Sequence, residues 1–334
     1  MPSHHPLSPS KSILDPIHGL ISLTPRELQV VDHSLFQRLR KIRQNGLLHL
    51  VWPAATHTRF EHSIGVLHVA DSILSALHVN SRAAPGKVKR LSDEREGQAI
   101  DFTTIPERTL SFIYTTARLA ALVHDLGHGP LSHTFDSFSP PSQLVSGLLE
   151  DTKFGALGKL SIDPGIKRVP HEVMSCVFFA LMWNDINQGS EEWMPAAVAA
   201  AILGPGKADC SSIPNDFRPW LPLIHDLIAS APADADRMDY LERDSQSLGV
   251  RYGLFDRNRL LKSFVCYQSA GTYRLGWKRS GVRAVENFVQ GRFELFVQVY
   301  YHKTNEAISR MLAEIARIAE EGSVAIFADS SDID

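Results

Sequence analysis

Residues 108–127, RTLSFIYTTARLAALVHDLG, place Leu110, Ile113, Ala117, Ala120 and His124 on one face of a helix. A helix this apolar has to be buried against others, and it ends in His-Asp just before a glycine. Aspartate is almost never fully buried without a partner, so the fold must bring a partner to Asp125. The following residues, HGPLSH, add His128 and His133. Gly127 and Gly129-Pro130 are expected to end the helix and let the chain double back. A satisfied core histidine beside a helix-end aspartate explains His124 and Asp125 taken alone. Two more histidines in the same neighbourhood point instead to a divalent metal, for which neutral imidazole and carboxylate are suitable donors.

Most of the chain carries the same helical period. THTRFEHSIGVLHVADSILSALH has a stripe at Ile64, Leu67, Ile73, Leu74 and Leu77. HEVMSCVFFALMWNDI and WMPAAVAAAIL read as buried helices, and residues 280–322 form a long amphipathic pattern with one internal glycine, Gly291. Only VCYQSAGTYRLGW alternates like a short hairpin. The expected class is therefore mostly α, with at most a short β-hairpin. Polar or Gly/Pro-rich stretches near residues 80–107, 139–168, 184–192 and 204–219 read as insertions in one helical domain, not as boundaries. The expected organisation is a flexible segment 1–14, a single domain 15–322 and an acidic tail 323–334.

Hydrophobic residues make up 44% of the 334, ample for a sizeable core. The net charge of −3 excludes a broad basic surface for nucleic acid. Cys176, Cys210 and Cys266 form no CxxC pair, which suits a reducing compartment, and a cytoplasmic location is expected. No apolar run is long enough to span a bilayer, and the first residues lack a signal-peptide core.

Further metal donors are available. His62 opens the helix EHSIGVLHVADSIL, just after Arg59. In DADRMDYLERD, a helix places Asp236, Tyr240 and Asp244 at i, i+4 and i+8 on one face, with Met238 and Leu241 elsewhere. The competing reading of that segment is a solvated face with pairs such as Asp239 to Arg243.

The order His62, His124-Asp125, Asp236 resembles the H…HD…D signature of the HD-domain metal-dependent phosphohydrolases. Within them, DPIHGLISL, FQRLRKIRQNGL, THTRFEHSIGV, HDLGHGPLSH, DADRMDYLERD and YYHK resemble, in order, the deoxynucleoside triphosphate (dNTP) triphosphohydrolase branch that includes a SAM-and-HD-domain enzyme. Only 14 residues precede DPIHG, so no SAM domain is expected ahead of it. The resemblance implies an HD-domain helical fold and hydrolysis of a dNTP to deoxynucleoside and inorganic triphosphate. It implies His62, His124, Asp125 and Asp236 as ligands of one divalent transition metal, Fe, Mn, Zn, Co or Ni, with Mg accompanying the nucleotide. It also implies His128, His133, Asp136 and His171 as the α-phosphate and proton-transfer set.

By the same resemblance Arg59, Arg237 and Arg292 hold the triphosphate. Tyr240, Asp244, Tyr300 and Gln44 face the sugar. The family often has lysine where Arg237 stands, and Phe296 replaces a histidine of the vertebrate relative. Asp32, Gln37 and Arg40 match positions for an activating nucleotide, although helix-surface packing also accounts for them. A homodimer or homotetramer is expected. Two alternatives remain: an HD-fold phosphohydrolase acting on another nucleotide or small phosphate ester, and a nucleotide-binding regulatory protein with a vestigial site. An oxygenase variant of the fold would use the extra histidines for a second iron.

Overall fold

The computed structural model describes residues 6–83, 87–90, 93–149, 167–187, 191–230 and 232–322. The acidic tail, most of the 139–168 stretch and residues 1–5 lie outside the described residues. A hairpin of β1 (Lys11–Asp15) and β2 (Gly19–Leu23) comes first. Thr24 then caps α1 (Pro25–Asp32) through a reciprocal box with Glu27. After a single turn, α2 (Ser34–Gln37), comes the long α3 (Arg59–Ala83). A ribbon of β3 (Lys87–Arg90) and β4 (Asp93–Gln98) leads to α4 (Glu107–Val123).

There follow α5 (Ser142–Leu149), α6 (His171–Ile186), α7 (Met194–Leu203), α8 (Leu221–Ala229), α9 (Ala235–Leu248) and α10 (Arg257–Leu261). A last hairpin, β5 (Phe264–Ser269) with β6 (Thr272–Trp277), precedes α11 (Val282–Leu295) and α12 (Lys303–Glu321).

The centre of the molecule is α3 packed on α4 and α9, with α7 and α8 behind α4. In α7 every residue from Met194 to Ile202 is buried, as its all-round apolar sequence requires. Arg118 is among the charged side chains buried in this core. Arg118 of α4 binds Glu27 through Nε (2.7 Å) and Nη2 (2.9 Å), Asp71 through Nη1 (2.6 Å) and the Ser22 carbonyl through Nη2 (2.8 Å). It thereby ties α4 to α3, α1 and β2. Arg118→Met should lower unfolding stability by about 3–5 kcal/mol, because the buried Glu27 and the partly buried Asp71 lose their cation. A denaturant midpoint unchanged from wild type would refute this.

The mostly helical class holds. Where the sequence pattern shows one hairpin, the described residues contain three two-stranded antiparallel ribbons. The first takes up residues 11–14 of the segment expected to be flexible, and the second lies inside the stretch read as loop 80–107. Both are rich in charge or turn residues, so their pairing is not announced by apolar alternation. The C-terminal pattern is not one helix. It passes through a π-helical turn, Phe296–Tyr300, and breaks at Tyr301-His302, while Gly291 stays inside α11.

The reversal after α4 also differs from expectation. Leu131 (φ 73°) and Ser132 (φ 59°) take the left-handed conformation, not the glycines. Gly127 serves a different purpose: a Cβ there would lie 2.0 Å from the His171 carbonyl oxygen, so glycine lets α6 approach the end of α4. Ser175 locks the contact, accepting from the Gly127 N–H (2.8 Å) and donating to the His124 carbonyl (2.6 Å).

Candidate active site

Three helix ends meet where α3, α4 and α9 converge. The first turn of α3 carries His62, the last residues of α4 lead into His124 and Asp125, and the first turn of α9 carries Asp236. Asp234 caps α9, its carboxylate accepting from the Arg237 N–H at 2.8 Å. His62 Nε2 lies 3.1 Å from Asp236 Oδ1 and 3.5 Å from Asp125 Oδ2. His124 Nε2 lies 3.4 Å from Asp125 Oδ1 and 3.6 Å from Asp236 Oδ1. Cis ligands of an ion with bonds of about 2.1 Å stand roughly 3 Å apart, so this spacing suits one metal.

The hydrogen bonds agree. His124 Nδ1 donates to the Ala121 carbonyl (2.8 Å) and His62 Nδ1 to Asp239 (2.7 Å). Both Nε2 atoms are buried without a hydrogen-bond partner, which is the state that a metal relieves. The donor set fits a divalent transition metal.

Charge is concentrated here. Burial opposes charge on His62, but the neighbouring carboxylates of Asp236, Asp239 and Asp125 outweigh it and raise the imidazole to about 10. Burial alone would lift Asp125 and Asp236. Arg59, His124 and His62 hold Asp125 below the usual carboxylate range, and His124 and His62 do the same for Asp236.

A second cluster adjoins the first. The turn Ser132–Phe138 presents His133 and Asp136 to His171 at the start of α6 and to His128. His128 and His171 stack with centroids 3.6 Å apart, and His133 meets both rings edge-on. Asp136 lies 3.5 Å from His133 Nδ1 and 3.9 Å from His171 Nδ1. Burial, reinforced by Arg59 and the neighbouring imidazoles, keeps His128 neutral. His133 is the accessible member, its side chain 70% exposed.

Two cavities share Gln44, Arg59, His133 and Tyr240 and so form one cleft with two arms. The arm over the metal donors, about 690 Å³, also reaches His171, Lys207 and His225. The other, about 510 Å³, is walled by Tyr240, Asp244, Phe296, Tyr300 and the first turns of α12. Tyr300 donates to Asp244 Oδ2, and His57 Nε2 bonds Asp244 Oδ1 at 2.6 Å.

The expected cations divide. Arg59 is buried against Asp125 and Ser132 and lines both arms. Arg237 is paired with Asp234, and Arg292 bonds the Tyr240 hydroxyl (3.2 Å) and lies over Phe296. Neither of these two lines the cleft.

Asp239 faces the core rather than solvent. It is fully buried and pairs with Arg243, as the spacing suggests, but also with His62. Of the residues matched to an activating nucleotide, Gln37 donates to the Val31 carbonyl and accepts from Arg40, whose guanidinium lies over Phe60, while Asp32 is exposed. His57, Lys207 and His225 escaped sequence reading. His57 and Lys207 sit outside helices, and His225 lies on the apolar helix α8.

No family model matches the chain. It is similar over most of its length to named proteins. A Dictyostelium discoideum homologue of the dNTP triphosphohydrolase SAMHD1 is 31% identical over 93% of this chain and 50% of its own. Human SAMHD1 is 29% identical over 91% and 44%, respectively. A mimivirus protein described by its HD domain is 28% identical over 90% and 56%. The chain thus spans about half the length of the curated relatives it matches. With helix ends that carry His, His-Asp and Asp to one point, it resembles the HD-domain proteins among these relatives. Within that class it is SAMHD1-like.

Proposed function

We propose that the protein hydrolyses deoxynucleoside triphosphates to deoxynucleoside and inorganic triphosphate, with His62, His124, Asp125 and Asp236 holding one divalent metal. The observation that carries this reading is the two-armed cleft. One arm is lined by His124, Asp125 and Asp236, with the unpartnered Nε2 atoms of His124 and buried His62 beside them, and the other, walled by Tyr240, Asp244 and Tyr300, has the size and polarity of a nucleoside site.

A divalent ion there would supply a water of lowered pKa and positive charge for the phosphoryl oxygens. Arg59, where the arms meet, is placed to hold the α-phosphate. Lys207 offers positive charge to the far phosphates, with Arg237 and Arg292 in reserve if substrate draws them from Asp234 and Tyr240. Asp244 accepts a hydrogen bond from a 3′-hydroxyl, and Tyr240 and Tyr300 crowd the 2′ position. His133, oriented by Asp136, protonates the departing 5′-oxygen.

The test is to incubate metal-loaded protein with each of the four dNTPs and matching NTPs and to separate the products. Release of pyrophosphate and a monophosphate would defeat the proposal. A second reading, an ion held by His128, His133, Asp136 and His171, is favoured by donor atoms that all lie within 4.8 Å of one another. A stoichiometry near two metals per chain would decide for it.

Assembly belongs to the same proposal. Val289, Phe293, Val297 and Tyr301 recur every four residues and are all exposed, as are Met311, Ile315 and Ile318 on α12. Such a stripe on a folded surface marks a contact face, and a second copy is the simplest partner. Light scattering should report a dimer or tetramer at micromolar concentration, and Phe293→Glu with Val297→Glu should shift it to monomer. A wild-type monomer with and without nucleotide would refute this. Among the described residues no helix is long and apolar enough to cross a membrane.

A further inference from the structure

We infer that the Asp15–Gly19 turn and Arg257 form an outer shell that fixes His62 with its Nε2 lone pair facing the metal position. The inference rests on the metal-centre reading above. It gives the DPIHG segment, which has no part in the proposed chemistry, a physical task.

The chain of hydrogen bonds can be followed donor by donor. Asp15 Oδ1 accepts from the backbone N–H groups of Ile17 and His18, both at 2.9 Å, and so closes the turn. Its Oδ2 accepts from Arg243 Nη1 at 2.9 Å, which clamps the turn to α9. The His18 side chain is fully buried by this arrangement. Arg257 Nη1 lies 2.8 Å from His18 Nδ1. A guanidinium only donates, so Nδ1 must be the lone-pair nitrogen and Nε2 carries the hydrogen. That Nε2–H donates to Asp239 Oδ1 at 2.5 Å.

The other carboxylate oxygen, Oδ2, lies 2.7 Å from His62 Nδ1. A carboxylate only accepts, so His62 carries a hydrogen on Nδ1, and the neutral ring that ligates a metal presents its lone pair on Nε2. Arg243 completes the cradle with Nε 2.9 Å and Nη2 3.0 Å from Asp239.

Gly65 makes room for this array. A Cβ there would stand 2.0 Å from Asp239 Oδ1 and 2.3 Å from Arg243 Nη2. A glycine weakens the middle of a helix, and here the close approach of Asp239 to α3 requires it. Arg257, His18 and Asp239 are therefore positioning residues in series behind one metal donor, His62.

His18 stacks on His68 with ring centroids 5.0 Å apart, so the test compares full-length wild type with His18→Phe, which keeps that ring but lacks the donor, and with the isosteric Asp239→Asn. The dissociation constant for Mn2+ and the visible absorption of the Co2+-loaded protein are measured, with apo-protein melting as the folding control. Both variants should fold and bind Mn2+ about 10–100-fold more weakly, with an altered Co2+ spectrum. His18→Gln, whose amide donates to Asp239, should recover most of the affinity. If wild type holds metal and both variants match its affinity and spectrum, the relay is overturned and the metal centre stands. Wild type that takes up neither ion overturns both. Should His18→Phe fail to fold, Asp239→Asn alone decides between the same outcomes.

Discussion

Asp125→Asn and His124→Ala proteins should emerge from purification with little bound metal and no measurable hydrolysis. Asp125 is central to the site: Oδ1 faces His124 and His128, and Oδ2 faces His62 and Arg59. Asparagine keeps the shape but removes the charge that balances Arg59 and the ion. His124 has no substitute donor, since its Nδ1 is committed to the Ala121 carbonyl and only Nε2 faces the centre. Loss of an outer partner alone weakens metal sites about 10–100-fold, so loss of a direct donor should cost more. Elemental analysis after dialysis against trace metal reads the result. Variants that keep one metal per chain would remove these residues from the site.

His133→Ala should behave differently. Turnover should fall roughly 10²–10⁴-fold, the range for a positioned acid, while metal content stays at the wild-type level. The 5′-oxygen of a deoxyribose is a poor leaving group and needs a proton as its bond to phosphorus breaks. His133 is the member of its cluster open to the cleft, and it has Asp136 3.5 Å away to orient it. Being largely exposed, it should be removable with a change in folding stability within about 0.5 kcal/mol. In water enriched in heavy oxygen, label should enter triphosphate, because attack is at phosphorus. Label in the nucleoside would place the broken bond at carbon and end this mechanism.

The two predictions differ in how early they are legible. The His-Asp pair at the close of an apolar helix and the Asp236, Tyr240, Asp244 ladder are local patterns, and a helix of known period projects them onto faces without knowledge of any other segment. The grouping of His128, His133, Asp136 and His171 comes from the family resemblance, and only the tertiary structure gives its stacking and exposure. The cation assignments are less legible still. Arg59, Arg237 and Arg292 are equal as letters, yet burial and the choice of partner, Asp125, Asp234 or Tyr240, separate them.

By itself the sequence determined the helical class, the helix that delivers His124 and Asp125, and the face of α9 turned to the cleft. Apolar periodicity and helix-stop residues act over a few positions, and those positions are contiguous. Only the tertiary structure decided that Asp239 is buried on His62, that His18 lies 221 residues from the aspartate it bonds, and that His57 reaches Asp244 across 187. It likewise decided that Leu131 and Ser132, not glycine, make the left-handed turn, and that Gly127 and Gly65 are there for close approach. Contacts of this kind depend on which helices pack together and how closely, and that is set by the fit of whole faces rather than by any short run of residues.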